Sequence, residues 1–272
     1  MSPLPGKNKE EKYTPEQTWK LRQVLYGEIL DQLDQDFSAM NLQYMPIKGA
    51  SLICSGLAEK ISSRTMNDID ILVLPDRFTR ASDYFDSSGT TVAREKESWP
   101  FAKAFYYVSG STNVVIEMHA MLNRPERFYL PTSTLFKRGT HTRSKRVLPC
   151  LEDMLLIMMC HQLVHGAQIP QQSFFEEMKL ILSQPAFNRR RFFDYARQTG
   201  IASWIYYLLE LCKRKESTTL TWPRRFRYPD LLLMLPEFII YGKQAALLRK
   251  IFIELPFSRN PWQLMRYKLS KS

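Results

Sequence analysis

The sequence has little of what would place it in a membrane, a disulfide scaffold or a low-complexity class. Only 10 glycines occur in 272 residues, too few for a collagen-like or Gly-rich chain. The four cysteines, Cys54, Cys150, Cys160 and Cys212, form no CxxC pair. That spacing argues against a disulfide framework and a cysteine-based zinc site, and the thiols are expected to be reduced and mostly buried. The longest apolar runs, such as 154–160 and 231–235, fall far short of the roughly 20 residues of a bilayer span. No membrane partner is therefore expected. The opening stretch MSPLPGKNKEEKYTPEQ has no apolar segment of the kind a secretory signal needs, so the cytoplasm is the expected location.

What is present suits a folded protein. Apolar residues make up 44% and charged residues 24% of the chain, enough to bury a core. The net charge of +11 is unevenly placed: residues 186–272 hold 17 Lys/Arg against 6 Asp/Glu, leaving 21 against 21 for residues 1–185. Such a basic third can attract an anionic partner or can be a solvated helical surface. No sequence motif of a nucleic-acid-binding module accompanies it, and DNA binding is not expected.

The patterning divides the chain. Residues 1–13 read as a disordered lead, 14–148 as a mixed α/β domain and 149–272 as a basic helical domain, an α+β class overall. Thr14-Pro15-Glu16-Gln17 predicts a capped helix start, with Trp19, Leu21, Val24, Leu25, Ile29 and Leu33 as its apolar face and an end near Asn41. Then follow a short strand over 44–47, a Gly-Ala-Ser turn and a helix over 51–60. A strand over 68–73, a helix over 76–86 and two strands, 101–108 and 114–119, complete the domain, the last two flanking a Ser109-Gly110-Ser111 hairpin turn. Beyond Pro149 the pattern is helical, punctuated at Pro170, Pro185, Gly200, Pro223, Pro229 and Gly242. Trp204, Tyr206, Tyr207 and Leu208 read as the core face of one of these helices rather than a base-stacking platform.

Chemistry concentrates in the first domain. Asp68 and Asp70, at i and i+2 of a strand, project to one face about 7 Å apart while Ile69 and Ile71 take the other. Two such acids repel unless a cation separates them, and magnesium suits carboxylate oxygens; solvated acids at a strand start are the plainer alternative. Glu117 and His119 share one face of a Val-rich strand, where an unpaired carboxylate would pay heavy desolvation. Three carboxylates meeting across two strands could hold magnesium ions about 4 Å apart, although Glu117 could equally serve a cross-strand salt bridge. Lys48-Gly49-Ala50-Ser51 sets a cation, a small-residue turn and a hydroxyl between strand and helix. His161 and His165 lie at i, i+4 on a helix. Gln162 replaces the glutamate a zinc peptidase needs, so an interdomain role or substrate contact is expected for the pair.

Taken together, YMPIKGASLICSGLAEKISSRTMNDIDILVLPD resembles the uncharacterised nucleotidyltransferase family of the polymerase-β-like superfamily. NVVIEMHAML is similar to its third-acid strand and LEDMLLIMMCHQLVH to its two-histidine helix. The resemblance covers about residues 20–185 and implies a minimal nucleotidyltransferase mixed sheet followed by an all-helical region. It also implies an NTP donor and magnesium in a two-ion site at Asp68, Asp70 and Glu117, the catalytic acids. Lys48, Gly49, Ser51, Arg64 and His119 become the nucleotide-binding set. The turn departs from the usual Gly-Ser or Gly-Gly, and Glu176-Glu177 stand where the family carries an aspartate. Two functions are open: transfer of NMP from an NTP to a small molecule, a peptide or protein side chain, or an RNA end; or a weakly catalytic module docking an anionic partner through its basic half.

Overall fold

The computed structural model describes residues 13–62, 64, 66–87, 91–94, 101–109, 112–122, 128–164 and 172–216. Residues 1–12 of the expected lead, Gly110 and Ser111 of the expected hairpin turn, His165, Pro170 and everything beyond Glu216 lie outside them. Most of the basic C-terminal third is thus not described.

Helix α1 (Pro15–Ala39) begins with a complete capping box: the Thr14 hydroxyl accepts from the Gln17 N–H, and the Gln17 side chain accepts from the Thr14 N–H. Its buried stripe is Trp19, Tyr26, Ile29, Leu30, Leu33 and Phe37. Leu21 and Val24, expected on the apolar face, are instead 53% and 63% exposed. They fall about half a turn from Trp19, and the larger aromatic stripe wins the core.

Strand β1 (Tyr44–Pro46) leads into α2 (Gly49–Cys54), which is shorter than expected. Gly56, at φ 70°, breaks the helix predicted over 51–60, and a 3-10 turn (Leu57–Lys60) takes its second half. Strand β2 (Asp68–Val73) matches its expected span. A 3-10 turn (Pro75–Arg77) enters α3 (Phe78–Ser87), and β3 (Thr91–Arg94), which no sequence signal marked, follows. Strands β4 (Ala102–Ser109) and β5 (Thr112–His119) pair out to Ser109 opposite Thr112. Ser109, expected in the turn, is therefore a strand residue.

The five strands form one mixed sheet in the order β1-β2-β5-β4-β3. Only β2 and β5 run parallel. Ile69, Ile71, Ile116 and Met118 are fully buried on one face. Helices α1 and α3 close over it: Phe85 stacks on Phe105 with ring centroids 4.4 Å apart and meets Phe37 at 6.1 Å. The opposite face carries the acids.

Helix α4 (Thr132–Arg138) and a small ribbon of β6 (Thr140–His141) and β7 (Val147–Leu148) connect the sheet to α5 (Leu151–Val164), α6 (Gln172–Leu182), α7 (Arg189–Thr199) and α8 (Ala202–Glu216). Residues 152–160 of α5 are all buried, as expected of a helix packed on every side, and α6, α7 and α8 surround it. Trp204, Tyr207 and Leu208 are buried as expected of core residues, with the Trp204 indole N–H donating to the Met159 carbonyl at 2.9 Å. Among the described residues, no helix is long and apolar enough to cross a membrane.

Arg146, just ahead of β7, ties α1 to the sheet. Its guanidinium donates to the Leu30 carbonyl (3.0 Å), the Tyr44 hydroxyl (3.1 Å) and Asp31 (2.8 Å), and pairs with Asp34 at 2.9 Å. Replacing a charge so engaged leaves several acceptors unsatisfied. Arg146→Met should therefore lower unfolding free energy by about 3 kcal/mol, measured by urea denaturation at constant m-value; a loss under about 0.5 kcal/mol would show that α1 does not depend on this contact.

Candidate active site

The site grows from the way β1 ends. The Ile47 N–H donates to the Asp70 carbonyl at 3.0 Å, extending the β1·β2 ladder by one bond. The next residue, Lys48, takes φ 53° and ψ −127°, a conformation that favours glycine. This sharp reversal starts α2 at Gly49 and directs the lysine side chain back toward β2. The ammonium of Lys48 reaches Asp70 Oδ1 at 2.6 Å, with the lysine side chain 15% and the aspartate side chain 5% exposed.

Gly49 permits a close approach. A Cβ there would meet the Met66 Sδ at 2.5 Å and the Arg64 Cζ at 3.2 Å, so the guanidinium lies directly against the turn. Ser51 is buried, and its hydroxyl donates to the Lys48 carbonyl at 2.7 Å; it braces the strained turn from within. Arg64, expected to face phosphates, forms an ion pair with the buried Glu177 of α6. Burial pushes the Glu177 carboxyl up, and Arg64 opposes that shift. In the sequence Glu177 stands out only as a departure from the family aspartate, and nothing local marks it as the partner of Arg64.

Parallel register builds the acid cluster. Asp70 pairs with Glu117, Asp68 with Val115 and Leu72 with His119. Paired positions share a face, so Asp68, Asp70, Glu117 and His119 all project to the side away from α1 and α3. His119 Nε2 lies 3.1 Å from Asp70 Oδ1 and 3.6 Å from Glu117 Oε2. One donor atom from each of Asp70, Glu117 and His119 falls within 4.8 Å of the others. The trio with metal-ligand spacing is Asp70, Glu117 and His119, and Asp68 shares their face without belonging to it. Its chemistry fits a divalent cation: carboxylate oxygens suit magnesium and manganese, and manganese also accepts imidazole. On the neighbouring strand, Ala104 pairs with Glu117, Ala102 with His119 and Tyr106 with Val115. Small side chains therefore flank the cluster, and Tyr106, 39% exposed, borders it. The alternating Ala102, Ala104 and Tyr106 were the sequence signal for this shelf.

The two aspartates have opposite electrostatics. Burial acts to raise the Asp70 carboxyl, but the Lys48 ammonium and the His119 hydrogen bond outweigh it and hold it well below the usual carboxylate range. Burial raises Asp68, reinforced by the negative charge of Asp70. His161 is half-buried on α5, whereas His165 lies outside the described residues.

Comparison with known proteins adds four findings. The profile of a family described as uncharacterised nucleotidyltransferase matches residues 14–215. Among solved structures, the chain is similar to a lincomycin-bound lincosamide antibiotic adenylyltransferase, LnuA, at 16% identity and a TM-score of 0.36, over 60% of this chain and 96% of that one. It is also similar to the antibiotic-resistance factor ANT(2'')-Ia, at 12% identity and a TM-score of 0.40, over 73% and 99% of the two chains. No curated protein sequence matches the chain.

The aspartates should respond oppositely to neutralisation. A carboxyl whose folded pKa is lowered stabilises the fold above the ordinary aspartate value of about 4, and that stability is lost as pH falls through the lowered value. One whose pKa is raised contributes below the ordinary value and loses that contribution as pH rises through its folded value. At pH 7 and without metal, Asp70→Asn should thus cost about 3 kcal/mol by leaving Lys48 without its counter-charge, while Asp68→Asn should be neutral or slightly stabilising. Equal losses in chemical denaturation would contradict this assignment.

The backbone at Lys48 provides a separate check. Lys48→Ala and Lys48→Gly remove the same ammonium, so their difference isolates the strained conformation. The glycine variant should be the more stable by about 1 kcal/mol, the reverse of the order at ordinary positions.

Proposed function

Because the chain belongs to the uncharacterised nucleotidyltransferase family, we propose that it transfers a nucleoside monophosphate from an NTP to a hydroxyl-bearing acceptor, using magnesium or manganese held at Asp70, Glu117 and His119. The observation that carries this reading is the convergence of those three donors beside the Gly49 turn. When bound, the ion supplies positive charge to the phosphoryl oxygens and to the attacking oxygen.

The remaining work falls to the chain's own residues. The missing side chain at Gly49 lets the Arg64 guanidinium pack against the turn, so that Lys48 and Arg64 offer cations on the same side. Ser51 keeps the turn in shape. Asp68 extends the acidic face and helps set the charge the ion must balance. Ala102 and Ala104 leave room beside Glu117 and His119 for an acceptor, on the flank opposite the turn. That arrangement suits displacement in line, with pyrophosphate leaving on one side and the acceptor entering on the other. The helical segment after residue 148 supplies Glu177 to hold Arg64, and its basic extension suits an anionic portion of a partner.

The test is incubation of purified protein with each α-labelled NTP and magnesium or manganese, with and without a lysate fraction, followed by location of the label. Labelled acceptor and released pyrophosphate are expected with wild type. Asp70→Asn and Glu117→Gln should each lose at least about 100-fold in rate, near 3 kcal/mol of transition-state stabilisation. Metal-dependent NTP binding without transfer in any fraction would favour the weakly catalytic binding module instead.

A further inference from the structure

Lys48 and a divalent ion make competing demands on the same carboxylate. Asp70 is 3% exposed, and a carboxylate so buried needs a counter-charge when no ion is present. Lys48 supplies it at 2.6 Å, on the oxygen that His119 Nε2 approaches at 3.1 Å. Asp70 also belongs to the trio with metal-ligand spacing. An ion among these donors would sit within a few ångströms of the ammonium, and two cations so close in a partly buried site repel strongly. The ion can bind well only if the lysine leaves.

The departing ammonium has a nearby destination. Lys48 directly precedes Gly49, against which the Arg64 guanidinium is packed, so its flexible side chain springs from the turn that borders the triphosphate position. Its carbonyl is fixed by Ser51 at 2.7 Å, which holds the backbone while the four-carbon stem swings. We propose that Lys48 is the coupling residue of the site: it neutralises Asp70 in the empty protein, is displaced by the divalent ion, and is thereby released to bind the phosphates of the incoming nucleotide. The inference rests on the nucleotide-transfer reading and adds an order to it. Ion and nucleotide then strengthen one another's binding through a residue that contacts each state's anion in turn, beyond any direct coordination of phosphate by the ion.

Titration calorimetry on Lys48→Met and Lys48→Gly tests this, the glycine variant relieving the backbone so that a folding defect in the first does not obscure the result. The probes are manganese alone and whichever of ATP, GTP, CTP and UTP wild type binds most tightly. Both variants should bind manganese alone about tenfold more tightly than wild type, because the competing ammonium is gone. With saturating ion they should bind the nucleotide at least about tenfold more weakly, while in EDTA they should stay within about threefold of wild type, whose lysine is then occupied by Asp70. Unchanged manganese affinity in both variants overturns the proposal by itself. So does an equal loss of nucleotide affinity with and without ion, which would make Lys48 a simple phosphate ligand. No loss in either condition would make it a structural counter-ion alone. Wild type binding neither ion nor nucleotide would sink the nucleotide-transfer reading itself, a result distinct from these.

Discussion

Taking a carboxylate out of water costs several kcal/mol unless charge and hydrogen bonds replace the lost solvation, and the architecture around Asp70 follows from meeting that cost. The acid sits in the second strand of the sheet, flanked by β1 and β5, with almost no exposure. Lys48 can reach it only because the backbone reverses at φ 53°. That reversal in turn needs Gly49 to clear Met66 and Arg64, and is braced by Ser51. The parallel register with β5 then sets Glu117 and His119 alongside. Each neighbour is explicable once the buried charge is taken as the starting point.

The same solution recurs where the helices meet the rest of the protein. Asp153 of α5 is fully buried and pairs with Arg138 of α4 at 2.8 Å, and the Arg138 guanidinium also lies over the Tyr195 ring of α7 at 3.7 Å. Glu152, its neighbour, accepts two bonds from Arg191 and one from the Asn188 N–H at the start of α7. Helix α5 carries these two acids in its first turn, ahead of the apolar run 154–160, where they also meet the positive end of the helix dipole. Apolar packing would hold α5 in place, but the ion pairs fix its rotation, because turning it would leave two carboxylates in the core without partners.

Local signals were strong enough to show most of this in the sequence. The Thr14 capping box, the β-branched run at 68–73 and the alternation in NVVIEMH each bear on neighbouring residues only, and each appears in the structure at or near its expected span. In α1, Leu21 and Val24 have the spacing of a second apolar stripe, and only tertiary packing selects between the two. The helix over 51–60 failed at Gly56, whose left-handed conformation weighs more than the propensity around it. The site was legible in its acids, by strand parity. What stayed hidden was pairing at long range. Nothing near Arg64 announces that its anion comes from Glu177, and nothing near His119 tells that its ring lies against both Asp70 and Glu117. Register and tertiary contact decide both.

The Arg64–Glu177 pair also bears on how such chains can be recombined. The arginine stands shortly before β2, the strand that carries Asp68 and Asp70, and the glutamate belongs to a helix far along the sequence. A chimera joining the sheet-bearing portion of this protein to the helices of a distant relative would bury a guanidinium against whatever stood in place of Glu177. The two portions cannot be exchanged as independent modules unless both ends of that contact travel together. Drift at either position would be under pressure to be matched at the other, and helical segments that differ in the molecules they receive could be grafted onto this sheet only where that single acid is kept.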